Sequence, residues 1–175
     1  MIEINNISKT SIDKKFFSTV AKKVLSGENR KTETLSLVFV SKEEIKNLNR
    51  KFRKKNKATD VLSFELNEKN YLGEVVICPE VVKKNVPIAR RSRRSRGLAR
   101  KSEQSRILDG KVPTKSRTRE KVGAVGTKKA KSDFEKELAK VFVHGILHLC
   151  GYDHEESKKG AEKMEGREKV YLSKI

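Results

Sequence analysis

The three histidines of the chain fall within eleven residues, at His144, His148 and His154, in the sequence HGILHLCGYDH. The spacing H-x-x-x-H-x-x-G-x-x-H sets two imidazoles one helical turn apart, supplies a glycine where the helix must end, and returns a third imidazole from the turn. Three imidazoles with a fourth position left open form the ligand set of a catalytic zinc site. The sequence therefore predicts a metal site that holds one Zn²⁺ per chain.

The first two ligands require a helix, and the preceding residues supply one. Phe134 to Leu149 is strongly apolar, and Ser132 or Asp133 can cap its start. Imidazoles on a buried helix are costly unless they are neutral and hydrogen-bonded or bound to metal. Gly151 accepts the positive φ that a sharp exit from the helix needs. We therefore expect the site at the end of a buried helix.

The residue after the first histidine, Gly145, bears on the reaction. Zinc peptidases of the H-E-x-x-H type carry a glutamate there as the general base, and glycine accepts no proton. A metallopeptidase is thus the less favoured alternative, and metal-assisted hydrolysis of another bond is favoured. Cys150 is interpreted as a small buried hydrophobic residue rather than an extra ligand. Asp153 can orient a ligand histidine or can be a turn residue.

The charge of the chain predicts a polyanionic partner. Its 175 residues carry a formal net charge of +19, for which nucleic acid is the leading candidate. Residues 86–132 contribute +13 of this, with sixteen Lys and Arg against three acidic residues and almost no apolar periodicity. We interpret them as a basic, disordered insertion, with a dedicated RNA-binding arm as the alternative.

Cysteine usage and hydropathy indicate the compartment. The chain has two cysteines, which form no disulfide framework. It has no 18-residue apolar run and no secretory leader pattern at its start. The expectation is a cytoplasmic protein without a membrane partner.

Hydrophobic periodicity predicts an α+β fold, in which a small mixed β-sheet is backed by helices. The expected organisation is a single domain over residues 1–175, interrupted by the insertion at 86–132. Strands are predicted at Met1–Ile7, Thr34–Val40, Val61–Phe64 and Leu72–Cys78, and helices at Ser11–Leu25, from the Ser41 capping box to Phe52, at Pro79–Asn85, Phe134–Leu149 and Ser157–Leu172.

Several ordered motifs resemble the YbeY family, the bacterial zinc-dependent endoribonucleases of rRNA maturation. The resemblance covers about residues 1–85 and 133–175, so joining Asn85 to Asp133 would restore an ordinary member. The motifs that carry it are Leu48-Asn49, Phe52-Arg53, Thr59–Phe64, Leu72–Cys78, His144–His154 and Met164-Glu165.

The resemblance implies roles for individual residues. His144, His148 and His154 are implied as the zinc ligands, and Arg53 as the catalytic arginine. Arg53 would hold a phosphate oxygen and stabilise charge in the transition state.

The resemblance also implies the substrate and the pathway. The expected activity is a single-strand-specific, zinc-dependent endoribonuclease that acts on the 3′ end of small-subunit rRNA and in ribosome quality control. Its partners would be single-stranded RNA, the rRNA precursor and the ribosome. Lys54, Lys55 and Lys57, in the basic loop after Arg53, are candidate phosphate contacts. A non-catalytic RNA- or ribosome-binding zinc protein is the alternative.

Overall fold

A computed structural model describes residues 1–86, 125–154 and 157–175 of the chain. The chain divides into two compact units, one formed by Met1–Val86 with Lys129–Ile175 and the other by Pro87–Lys128. Residues 87–124 of the predicted insertion at 86–132 lie outside the described residues, so their disorder stays a prediction. Residues 125–132 are helical, and the prediction of disorder is wrong for them.

The first unit contains a four-stranded mixed sheet. Strands β1 (Ile2–Asn6), β2 (Thr34–Phe39) and β4 (Tyr71–Ile77) are parallel to one another, and β3 (Val61–Glu68) pairs antiparallel with β4 at one edge. The order is β1-β2-β4-β3. β3 and β4 form a hairpin whose turn includes Asn70 at a φ of 66°. The predicted mixed sheet is confirmed.

Five helices are present among the described residues: α1 (Lys14–Gly27), α2 (Lys42–Arg53), α3 (Pro79–Asn85), α4 (Val125–Leu149) and α5 (Lys158–Leu172). The Ser41 side chain accepts from the Glu44 amide and the Glu44 carboxylate accepts from the Ser41 amide, which is the predicted capping box. None of the described helices is both long and apolar enough to cross a membrane.

The start of α4 differs from the sequence prediction. The helix begins at Val125 rather than near Phe134, so Ser132 and Asp133 lie inside it and do not cap it. The prediction followed apolar periodicity, which is absent from Lys128, Lys129, Ala130 and Lys131. These residues have high helix propensity and can extend a helix without apolar spacing.

Alternate residues of the central strands face two different apolar layers. On β4, Val75 and Ile77 join the larger cluster with α1, α4 and α5, while Val76 joins a smaller cluster beneath α2 with Ile45 and Leu62. Helix α4 is buried against the larger layer, as predicted, through Leu138, Phe142, Val143, Ile146, Leu147 and Leu149.

Candidate metal centre

The end of α4 is a Schellman motif that turns the chain back toward the helix. Gly151 has a φ of +87°, and its amide donates to the His148 carbonyl at 2.9 Å. The Tyr152 amide donates to the Leu147 carbonyl at 3.0 Å. This pair of hydrogen bonds defines the motif and requires the left-handed backbone that glycine adopts at little cost. The predicted role of Gly151 is therefore observed, and His154 follows on the returning segment.

The turn brings the three histidines together. One ring nitrogen from each of His144, His148 and His154 lies within 4.8 Å of the others. The Nε2 atoms of His144 and His148 are 3.1 Å apart, and the ring centroids of the three pairs are separated by 4.7, 5.1 and 5.0 Å. His144 and His148 are half-buried and His154 is exposed. Such convergence of three imidazoles on one point fits a metal ion with an open side toward solvent.

Two features of these rings suit metal binding. Burial lowers the pKa of His148, and the neighbouring His144 and His154 lower it further, against the charge of Asp153 and a hydrogen bond with the Tyr152 backbone. The Nδ1 atom of His144 lies 2.6 Å from the Glu168 Oε1 atom. An imidazole bonded to a carboxylate through one nitrogen has the other nitrogen available as a ligand.

Gly145 lies where α4 packs most closely on the sheet. A Cβ atom added to it would lie 2.8 Å from Val75 Cγ1 and 3.1 Å from Ser63 Oγ. The Ser63 hydroxyl also donates to the Gly145 carbonyl at 3.1 Å. The position faces the sheet and has no room for a side chain. The glutamate of an H-E-x-x-H peptidase would not fit there, which agrees with the sequence argument against a peptidase.

Cys150 lies outside the metal-binding group. It is half-buried and packs against the larger apolar cluster. Burial raises the pKa of its thiol to about 11. The group of potential ligand atoms among the described residues contains the three histidines and not this sulfur. The interpretation of Cys150 as an apolar packing residue agrees with this placement.

A second hydrogen-bonded network holds the returning segment in place. The Glu28 carboxylate, at the end of α1, accepts from the Tyr152 hydroxyl at 3.0 Å and from the Tyr171 hydroxyl at 2.6 Å. It also accepts from Arg167 Nε at 2.9 Å. Because Tyr152 lies between Gly151 and His154, this network connects the histidine-bearing turn to α1 and α5.

Arg53 and the three candidate lysines are exposed at the end of α2 and in the loop after it. Lys54 caps the helix in a left-handed conformation, with a φ of 58°, and its amide donates to the Asn49 carbonyl. The Asn49 side chain is buried and donates through Nδ2 to the Lys57 carbonyl at 2.6 Å. These contacts fix the path of the loop, so the cationic side chains project from a defined backbone.

Glu168 and Glu28 were not predicted from the sequence. Glu168 follows the buried Met164 by four residues and precedes the buried Tyr171 by three, so it lies on the inner face of α5. An acidic residue on the buried face of a helix is a feature of the sequence that could have indicated this contact. Glu28 lies just beyond the end of α1, and no local sequence pattern indicates the three side chains that donate hydrogen bonds to it.

Comparison with known proteins identifies the family. The family model described as Endoribonuclease YbeY matches residues 3–97 and 121–175. The chain belongs to the YbeY family. The family resemblance predicted from the sequence is thereby confirmed, and with it the class of enzyme, a metal-dependent hydrolase of the endoribonuclease type. The stretch left unmatched, residues 98–120, lies within the predicted insertion.

Individual YbeY proteins show the same likeness. The endoribonuclease YbeY of Bdellovibrio bacteriovorus is 34% identical over 172 residues, which cover 93% of this chain and 87% of that protein. That of Thermotoga neapolitana is 34% identical over 140 residues, covering 80% of this chain and 66% of that protein. The chain thus spans about two thirds of the length of the Thermotoga YbeY.

A solved structure agrees with the fold. The solution structure of a Thermotoga maritima protein superimposes with a TM-score of 0.54 at 29% sequence identity, covering 98% of this chain and 87% of that one. The chain therefore shares the fold of that protein over most of its length.

Proposed function

We propose that the chain is a zinc-dependent endoribonuclease that cuts single-stranded RNA, acts on the 3′ end of the small-subunit rRNA precursor and takes part in ribosome quality control. The observation that carries the proposal is the convergence of three imidazole nitrogens within 4.8 Å at the end of α4. Membership of an endoribonuclease family supports RNA as the substrate. A net charge of +19 supports a polyanionic partner, such as rRNA within a ribosomal particle.

The donor set fits zinc. His144, His148 and His154 would hold the ion, since imidazole is a preferred zinc ligand and three of them leave one position for water or substrate. A bound zinc ion supplies Lewis acidity close to the scissile phosphate. The half-buried rings of His144 and His148 are held by α4, and His154 is held by the turn that Tyr152 anchors to Glu28.

Arg53 is proposed as the catalytic arginine. Its guanidinium presents a planar fork of donors that matches two phosphate oxygens and stabilises negative charge as it develops in the transition state. The Asn49 bond to the Lys57 carbonyl keeps the loop after Arg53 in one conformation. Lys54, Lys55 and Lys57 would add contacts to the RNA backbone that do not depend on sequence.

Phe52 gives this basic surface a preference for unpaired bases. Its side chain is 55% exposed although it is a large apolar residue. The ring packs edge-on against Phe64, with centroids 5.0 Å apart, and Lys51 Nζ lies 5.2 Å from its centroid. An exposed aromatic ring among cations is a stacking platform for an unpaired base. Duplex RNA presents no free base face, so the surface supports the proposed single-strand specificity.

The experiment that tests the function compares variants on one RNA. The substrate is a single-stranded RNA bearing the 3′ end of the small-subunit rRNA precursor, with the same sequence annealed into a duplex beside it. We expect wild type to cut the single strand, His148→Ala to abolish cleavage, and Arg53→Ala to reduce the rate by about 10²–10³-fold, the cost of one transition-state donor.

Arg50→Ala is the matched control for Arg53→Ala, because Arg50 is an exposed arginine in the same last turn of α2. It should change the rate much less. Equal cleavage by wild type and His148→Ala would indicate a contaminating nuclease and refute the proposal. A wild-type protein that holds zinc and binds RNA without cutting it would instead support the non-catalytic binding protein.

A further inference from the structure

Glu168 contacts the candidate metal centre from a different helix. Its Oε1 atom lies 2.6 Å from His144 Nδ1. The Glu168 side chain is 15% exposed and that of His144 is 31% exposed, so the pair is largely removed from solvent. It joins α5 to α4 at the first of the three histidines.

The position of the carboxylate is set by the packing of α5. Met164 and Tyr171, one turn before and one turn after it, are 2% and 3% exposed. The neighbouring Arg167 donates to the Glu28 carboxylate and, through an Nη2 contact of 3.0 Å, to the Gly27 carbonyl. These contacts fix the rotation of α5 about its axis, so Glu168 is held against His144 by the fold rather than by its own bond alone.

The contact selects one tautomer of His144. A carboxylate accepts hydrogen bonds and donates none, so the proton of a neutral His144 ring lies on Nδ1 and points at Glu168. The lone pair then lies on Nε2, the atom that is 3.1 Å from His148 Nε2. Carboxylates that bond the outer nitrogen of a ligand histidine fix the ring and increase its basicity as a ligand.

We infer that Glu168 is a positioning residue that orients His144 and tightens metal binding. The inference rests on the proposed metal site and adds to it a fourth residue, which does not itself bind the ion. Its alternative is a stabilising ion pair between α4 and α5 with no bearing on the metal. The two roles predict different responses, because only a positioning role changes metal affinity and the ring tautomer.

The test uses Glu168→Ala and Glu168→Gln, with Glu165→Gln as the matched control. Glu165 lies on the same helix, is 63% exposed and pairs with Lys169 at 2.6 Å. Zinc affinity is measured on the full-length protein by competition with a chromophoric chelator. Glu168→Ala should weaken binding by about 10–100-fold, the usual cost of removing such a partner. Glu168→Gln retains a hydrogen-bond acceptor, so it should lose less zinc affinity than Glu168→Ala. Glu165→Gln should bind zinc as tightly as wild type.

A metal-free readout separates positioning from stability. In long-range ¹H–¹⁵N spectra of the apoprotein, His144 should be the Nδ1–H tautomer in wild type and in Glu165→Gln, and should lose that preference in Glu168→Ala. Wild-type zinc affinity and an unchanged tautomer in both Glu168 variants would overturn the inference while leaving the nuclease proposal intact. If wild type does not bind zinc, or if His148→Ala binds it equally well, both the Glu168 inference and the nuclease proposal are refuted.

Discussion

At the scale of single residues, the metal centre depends on a histidine spacing that can be read from the sequence. It also depends on a contact between Glu168 and His144 that cannot be read from it. His144, His148 and His154 meet because an i, i+4 pair is followed by a glycine turn, and both features can be read from the chain. Their role as metal ligands stays a prediction. Glu168 reaches His144 from twenty-four positions away, and no local spacing encodes a contact between two helices.

Gly145 gives a prediction at this scale. Gly145→Ala should lower the free energy of unfolding, because its Cβ would meet Val75 Cγ1 at 2.8 Å. Overpacking of a core costs about 1–3 kcal/mol, which the better helix propensity of alanine, about 1 kcal/mol, offsets only in part. Gly166→Ala is the control, since no atom lies within 4 Å of its added Cβ. Urea unfolding that finds both alanine variants more stable than wild type would contradict the close packing of α4 on the sheet.

At the scale of elements, helix ends and turns set the geometry of the site. The Schellman motif ends α4, the capping box starts α2, and the Asn49 side chain holds the basic loop after it. The Glu28 carboxylate connects α1, α5 and the histidine-bearing turn. Burial acts to raise the pKa of Glu28, but hydrogen bonds from Tyr171, Arg167 and Tyr152 and the charge of Arg167 hold it below its usual value of 4.5.

Glu28→Gln should therefore destabilise the protein in a pH-dependent way. A carboxylate whose pKa is lowered on folding contributes stability above its unfolded pKa and loses that contribution as pH falls through its folded pKa. At pH 7 we expect the free energy of unfolding to fall by about 1–3 kcal/mol, which is the cost of leaving hydrogen-bonding partners unpaired in a buried network. The difference from wild type should shrink as pH falls below about 4.5.

Urea unfolding between pH 7 and pH 3 measures this difference. The control is Glu162→Gln, a change at an exposed position of α5, which should stay within about 0.5 kcal/mol of wild type at pH 7. If the free energy of unfolding of Glu28→Gln stays below that of wild type by the same amount from pH 7 to pH 3, the network does not stabilise the charge of the carboxylate.

At the scale of the whole molecule, the sequence predicted the α+β fold, the order of the elements and the family. Runs of apolar and β-branched residues predicted the two central strands, because each of these strands is buried between two apolar layers. The start of α4 was missed, since residues before 132 lack apolar periodicity although the helix begins at Val125. Glu28 and Glu168 were missed because their partners are distant in the chain.

The central claim is that three histidines hold one zinc ion per chain and that this ion makes the protein a nuclease. The most direct measurement removes metal with a chelator, returns zinc in graded amounts and follows cleavage of the single-stranded rRNA-precursor RNA against zinc bound per chain. We predict no cleavage by the apoprotein and a rate that rises to a plateau at one zinc per chain. Cleavage by metal-free protein, or equal recovery by His148→Ala, would contradict the claim.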